Sequence, residues 1–264
     1  MKYKALLIDI DGTLLHQGQP IEGAIESIAW LVKENVPFKL LTNISARPTT
    51  DIHQQLVRLG FAVSHHQIQT ASTACIQFLK GEGAIRCHFM LPPAIQSLFE
   101  DIPVDDLNPD YVVIGDMQEG FSYASLNRAF LCLRNGARLL AMHRNPYWFD
   151  TEGAKLDSGS FVAALEFATR QSAIVTGKPS GIFFRMALND LGCTAGEVLV
   201  IGDDPLTDLA GAAEIGADSL LVATGKSLGL TETLQPGNVD VLPSIAALPA
   251  YLQPLLTADA FKRI

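Results

Sequence analysis

The chain has 264 residues, 48% of them hydrophobic and 18% charged, enough for one large or two modest domains with substantial cores. A net charge of -9 and a pI of about 5.1 argue against a nucleic-acid or anionic-membrane partner. They leave room for a phosphate ester, because a metal ion and one lysine can dominate a local site.

No apolar run reaches the ~20 residues that span a bilayer, and the N-terminus enters a strand without a signal-peptide pattern. Cys75, Cys87, Cys132 and Cys193 are widely spaced with no CxxC pair. They read as reduced, mostly core thiols of a cytoplasmic protein and not as a zinc site. His65-His66 lie in a polar segment and read as loop residues.

The first element organises the rest. Ala5-Leu6-Leu7-Ile8 reads as a buried parallel strand ending at two carboxylates, Asp9 and Asp11, followed by Gly12-Thr13. Alternate side chains of a strand share a face, and Gly12 lets the backbone turn just after them. Two close like charges need a cation, a proton or donors to compensate. The string DIDGT resembles the first motif of the haloacid dehalogenase superfamily. That resemblance implies Asp9 as covalent nucleophile and Asp11 as general acid/base, roles suited to carboxylates. It also implies Mg²⁺ to offset the crowded negative charge.

A helix is predicted from about Gly23 to Glu34, then a strand over 36–41 ending at Thr42-Asn43. Thr42 stands where the superfamily keeps its phosphoryl-binding hydroxyl. Thr42 to Arg47 resembles the loop of the NagD-like branch, with Ile44 replacing a polar residue. A helix over Asp51 to Leu59, a strand over Gln67 to Thr70 and a helix from Ser72 to about Leu79 continue a parallel-sheet beat. From Ile85 the beat restarts: strands over 85–91, 111–115 and 138–142, helices over 94–99 and 123–133, and prolines in the linkers. The segment from His143 to Gly159, with Asn145, Asp150 and Asp157, resembles the branch's return to the core, and both acids read as turn residues. Gly159-Ser160 then start a helix over 161–169.

Ala173 to Val175 lead to Thr176-Gly177-Lys178-Pro179-Ser180 and a helix over 181–191. This is not a P-loop, since the leading Gly is absent and Pro179 follows the Lys. GKP resembles the superfamily's third motif, in which Lys178 would hold the nucleophile and the phosphoryl oxygens. The apolar strand 197–202 ends in Asp203-Asp204-Pro205-Leu206-Thr207-Asp208, similar to the fourth motif, whose first acid binds Mg²⁺. Asp204 or Asp208 could also cap the helix 209–215. A strand over 217–223 runs into Thr224-Gly225-Lys226, and an irregular tail ends in a helix after Ile245.

Asp9/Asp11, Thr42, Lys178 and Asp203 each follow an apolar strand, and ligands of open parallel sheets bind beyond the carboxyl ends of the strands. The fold expected is α/β: a Rossmann-like core with a parallel sheet flanked by helices, and a smaller inserted α/β cap. Residues 1–78 and 176–264 form the expected core and residues 79–175 the expected cap, which would select the substrate. The resemblance implies a phosphatase acting on a small phosphorylated metabolite, a monoester, pyrophosphate or phosphoamide. Asp9, the Asp11 carbonyl and Asp203 would hold Mg²⁺; Thr42, Asn43 and Lys178 would bind the phosphoryl group; Asp204 and Asp208 would orient metal waters or Lys178. A homodimer through the cap is expected from resemblance alone. The alternatives are a dehalogenase, which Asp11 disfavours, a phosphomutase, and a phosphometabolite sensor without catalysis.

Overall fold

The computed structural model describes residues 3–150, 153–228 and 239–256. It divides into two compact units, one of residues 1–42, 49–69 and 178–264, the other of residues 43–48 and 70–177.

The first unit begins with β1 (Ala5–Asp9), a small hairpin of β2 (Leu15–His16) and β3 (Gln19–Pro20), α1 (Ala24–Lys33), β4 (Phe38–Thr42), α2 (Thr49–Arg58) and β5 (Ile68–Thr70). Every residue of β1 and β4 is buried, as expected of strands covered on both faces. α1 buries Ala24, Ser27, Ile28 and Leu31, the i, i+3, i+4, i+7 stripe of an amphipathic helix.

The second unit contributes α3 (Ala71–Gly81), β6 (Cys87–Met90), α4 (Pro93–Gln96), β7 (Tyr111–Ile114), α5 (Tyr123–Arg134), β8 (Arg138–Ala141), the hairpin of β9 (Tyr147–Asp150) and β10 (Gly153–Leu156), α6 (Ser158–Thr169) and β11 (Ile174–Val175). Its sheet has the order β11-β8-β7-β6, with parallel pairing throughout. Alternation along the strands feeds two cores. Tyr111, Val113, Leu140 and Met142 pack with α3, Ile95 and Phe99 on one face. Val112, Ile114, Leu139 and Ala141 pack with Ala129, Cys132, Leu133, Val162 and Leu165 of α5 and α6 on the other.

The chain returns to the first unit with α7 (Gly181–Leu191), β12 (Val198–Gly202), a wide π-type turn over Pro205–Leu209, α8 (Ala210–Ile215), β13 (Asp218–Val222), β14 (Asp240–Leu242) and α9 (Leu248–Leu256). The six-stranded sheet runs β14-β13-β12-β1-β4-β5. The pairs on both sides of β1, and those joining β12, β13 and β14, are parallel. From β1 the chain steps outward one way through β4 and β5, and later the other way through β12 to β14. The order reverses beside β1, and the crevice at such a reversal is where parallel α/β sheets bind ligands.

Four features differ from the sequence expectations. α3, placed by its spacing in the 1–78 segment, packs Ala71, Cys75 and Leu79 into the second unit's core. Its i, i+4, i+8 face fits that sheet, and periodicity alone does not say which sheet a helix covers. β14 lies in the tail read as irregular. The return segment contains the β9/β10 hairpin, with Asp150 ending β9. Asp157 accepts from the Ser158 N–H at 2.7 Å, so α6 starts at Ser158 rather than at Phe161.

Candidate active site

Asp9, Asp11, Asp203, Asp204 and Asp208 all lie in the first unit, at or just beyond the carboxyl ends of β1 and β12. β1 ends at Asp9, and Gly12, three residues on, has φ +95°. An added Cβ at Gly12 would collide with the Asp203 carboxylate, and one at Gly202 with the Asp208 carboxylate. Close approach therefore requires both glycines, and the turn requires Gly12 as well.

Four charged groups meet there in near-complete burial: Asp9 at 5% exposure, Lys178 at 4%, Asp203 at 2% and Asp208 at 1%. The Lys178 ammonium donates to Asp9 Oδ1 and to Asp208 Oδ1 at 2.7 Å. Asp208 Oδ2 accepts from the Asp204 N–H at 3.2 Å. Asp208 thus holds Lys178 from the side opposite Asp9, and the wide turn at Pro205–Leu209 aims it inward.

Burial pushes the Asp9 carboxyl up to about 7, with Asp203 and Asp11 adding to the shift and Lys178 opposing it. Burial likewise pushes Asp208 up to about 7 against the pull of Lys178. Asp203 rises to about 6, chiefly by burial, although the Lys226 N–H favours its ionised form. For Lys178, burial opposes the charge, but the two carboxylates outweigh it and raise the pKa above the ordinary lysine value.

Lys178 is the cation that these acids share: it pairs directly with Asp9 and Asp208. Carboxylate oxygens of Asp9, Asp203 and Asp208 lie within 4.8 Å of one another. Asp9 Oδ2 is buried with no hydrogen-bond partner among the described residues. An unsatisfied buried carboxylate oxygen beside two further carboxylates is a donor set suited to a hard divalent cation.

Asp11 is exposed, and its Oδ2 accepts from Thr42 Oγ1 at 3.3 Å. Thr42, buried at the end of β4, is thereby joined to the carboxylate two residues past β1. Asp204 caps the turn that follows it, accepting from the Leu206 N–H at 2.9 Å, and pairs with Lys226 Nζ at 2.6 Å. Its carboxyl is held below the ordinary range despite its burial, by hydrogen bonding to Lys226 and that cation's charge.

Asn43 opens the short stretch 43–48 that belongs to the second unit. A Cβ added at Gly177 would meet Asn43 Oδ1 and the Met142 carbonyl, which places the Asn43 side chain against the residue before Lys178. Two residues on, Ser45 Oγ lies 3.0 Å from His143 Nε2 and accepts from the Asp116 N–H at 3.1 Å. His143 is buried and its pKa is lowered by that burial, against Asp157 and Asp116. Ile44 is half-buried between these anchored positions.

Sequence reasoning passed over Thr224, Gly225 and Lys226 as site residues. Thr224 Oγ1 donates to the Gly12 carbonyl at 2.6 Å, and the Lys226 N–H donates to Asp203 Oδ2 at 2.6 Å. The signal was present, for Thr-Gly-Lys follows an apolar strand just as the other site segments do.

The chain is similar in sequence and fold to known proteins. A family model described as haloacid dehalogenase-like hydrolase matches residues 6–104, and a related HAD-hydrolase-like model matches residues 175–248. Phospholysine phosphohistidine inorganic pyrophosphate phosphatase of Rattus norvegicus is 37% identical over 229 residues, 84% of each chain. Haloacid dehalogenase-like hydrolase domain-containing protein 2 of Mus musculus is 37% identical over 223 residues, 84% of this chain and 85% of its own. Among solved structures, the 4-nitrophenylphosphatase of Thermotoga maritima superposes with a TM-score of 0.87 at 26% identity, covering 94% of this chain and 97% of its own. NagD of E. coli shares the fold, with a TM-score of 0.83 at 24% identity over 93% of this chain and 98% of its own. The chain belongs to the haloacid dehalogenase-like hydrolase family.

Proposed function

We propose that the protein is a Mg²⁺-dependent phosphatase that hydrolyses a small phosphorylated metabolite through an aspartyl-phosphate on Asp9. The observation that carries this reading is the buried cluster of Asp9, Asp203 and Asp208 around Lys178, with Asp11 and Thr42 joined beside it. Relatives named as phosphatases support it.

Asp9, Asp203 and the Asp11 carbonyl would hold the metal, which supplies Lewis-acid neutralisation of the phosphoryl oxygens and of the attacking carboxylate. Asp9 attacks phosphorus, and the bond from phosphorus to the leaving oxygen breaks as the Asp9 oxygen bond forms. Asp11 gives its proton to the leaving oxygen, then takes one from the water that hydrolyses the aspartyl-phosphate. Thr42, Asn43 and Lys178 donate to the equatorial oxygens, where transition-state charge accumulates. Asp208 fixes the ammonium of Lys178, and Asp204 orients its own turn and Lys226.

In this proposal residues 79–175 act as the specificity cap within the second compact unit. The proposed substrate range takes pyrophosphate and phosphoamides from the name of the rat relative and phosphate monoesters from that of the 4-nitrophenylphosphatase. A cytoplasmic location fits the four free cysteines, and among the described residues no helix is long and apolar enough to cross a membrane. Dimerisation through the cap is the remaining part of the proposal, read out by mass in solution.

Hydrolysis of 4-nitrophenyl phosphate tests the chemistry. Wild-type protein should lose activity with a chelator and regain it with Mg²⁺. Asp9→Asn should be inactive and form no covalent phosphoenzyme. Asp11→Asn should bind metal normally yet turn over ~10²–10⁴-fold more slowly, the usual worth of general acid–base help. With this good leaving group it should release one equivalent of nitrophenol and stall. Steady wild-type turnover of an alkyl phosphate by Asp11→Asn would remove Asp11 from the mechanism.

A further inference from the structure

The turn after β13 touches both acid-bearing segments of the site, yet the mechanism above gives it no part. It runs over Gly225–Ser227, directly after Thr224. Thr224 Oγ1 donates to the Gly12 carbonyl at 2.6 Å, across 212 positions of sequence. The next residue, Gly225, has φ +51°, and a Cβ there would run into Asp203 Oδ2 and the Gly12 Cα. The residue after that, Lys226, donates its N–H to Asp203 Oδ2 at 2.6 Å. Its side chain reaches Asp204 Oδ2, also at 2.6 Å.

Three consecutive residues therefore make three different kinds of contact with the two acid-bearing segments. The hydroxyl ties down the loop that follows Asp9 and Asp11. The missing side chain lets the backbone close onto the Asp203 carboxylate. The amide fixes the rotation of that carboxylate. The Asp203 carboxylate lies against the backbones of both Gly12 and Gly225, the two segments that Thr224 joins.

We propose that Thr224, Gly225 and Lys226 are positioning residues of the cation site, a backbone latch that sets the orientation of Asp203 relative to the Asp9–Gly12 segment. The latch holds the carboxylates at the spacing a small divalent cation requires and binds no substrate itself. This inference rests on the reading of Asp9 and Asp203 as cation ligands. Groups that orient metal ligands in this way typically contribute ~10–100-fold to metal affinity.

The test uses the full chain without substrate and Mn²⁺ as the probe, with free Mn²⁺ counted by its electron paramagnetic resonance signal. Thermal melting of each variant is measured alongside. Thr224→Val keeps the shape and removes the donor, and it should weaken Mn²⁺ binding ~10–100-fold. Thr224→Ser should restore wild-type affinity. Gly225→Ala should weaken binding at least as much as Thr224→Val, whereas Lys226→Ala, which keeps its amide, should stay near wild type. In turnover, Thr224→Val should raise the Mg²⁺ concentration needed for half-maximal rate and leave kcat at saturating Mg²⁺ close to wild type.

Wild-type Mn²⁺ affinity in a folded Thr224→Val protein overturns the latch, as does an equal loss in Thr224→Ser. If Gly225→Ala does not fold, the Val and Ser pair decides alone. Failure of the underlying reading looks different: either the wild-type protein binds no Mn²⁺, or Asp203→Asn binds it as tightly as wild type.

Discussion

At the scale of single residues, the site is an excess of buried negative charge held in check by one ammonium. Removing Lys178 would leave Asp9 and Asp208 facing each other without a counter-charge. Lys178→Met should therefore destabilise the protein by ~3–5 kcal/mol, the usual effect of orphaning a buried charge. Lys178→Met combined with Asp208→Asn should recover part of that loss in urea unfolding, because the double change removes charge from both sides. The same excess fixes the direction of pH dependence. Asp9 and Asp208 are pushed up to about 7 and Asp203 to about 6 in the folded chain, against 3.8 ordinarily. Between those values these three groups bind more protons in the folded metal-free protein than in the unfolded chain, so their contribution to stability falls as pH rises from about 4 to 7. A bound cation favours the ionised carboxylates and opposes this loss. The rise in melting temperature on adding Mg²⁺ should therefore be larger at pH 8 than at pH 5. A rise independent of pH would show that these carboxylates do not hold the ion.

At the scale of elements, α3 makes the most specific claim. It closes one face of the second unit's sheet through Ala71, Cys75 and Leu79. Leu79→Ala should cost ~2–5 kcal/mol, as truncation of a buried leucine does. Amide exchange in β6 and β7 should quicken, while exchange in β1 and β12 should hardly change. Uniform quickening across both sheets would mean that the two units unfold together. The strands carrying the site were legible because each is an apolar run ending abruptly in polar residues, as at Ile8-Asp9, Leu41-Thr42 and Ile201-Gly202-Asp203. The allegiance of α3 was not legible, since its apolar stripe fits either sheet and only three-dimensional adjacency decides. β14 escaped notice for a different reason. It is a three-residue edge strand with half-buried and exposed positions, too short for alternation to register. The β9/β10 hairpin left a clearer trace in Tyr147-Trp148-Phe149, whose aromatic character favours a strand, but the polar residues around it masked the pairing. Thr224 to Lys226 could be read as a turn; what that turn touches, 212 residues back along the chain, no local pattern records.

At the scale of the whole molecule, the first unit is assembled from three separated stretches, and the chain completes the second unit's 70–177 stretch before returning to it. β1 occupies the middle of its sheet, with β4 on one edge and β12 on the other. During synthesis β4 emerges soon after β1, but β12 follows nearly two hundred residues later. Until then one edge of a strand apolar up to Asp9 has no partner from its own sheet, and the nascent chain carries an open template for strand addition. The 70–177 stretch, whose strands follow one another closely, can meanwhile condense through short-range contacts, whereas closure of the catalytic sheet waits on the largest loops in the molecule. A ribosome stalled with residues 1–177 outside the exit tunnel and β12 still inside it should thus present a structured second unit beside an aggregation-prone β1, and chaperone engagement should end once β12 has cleared the tunnel.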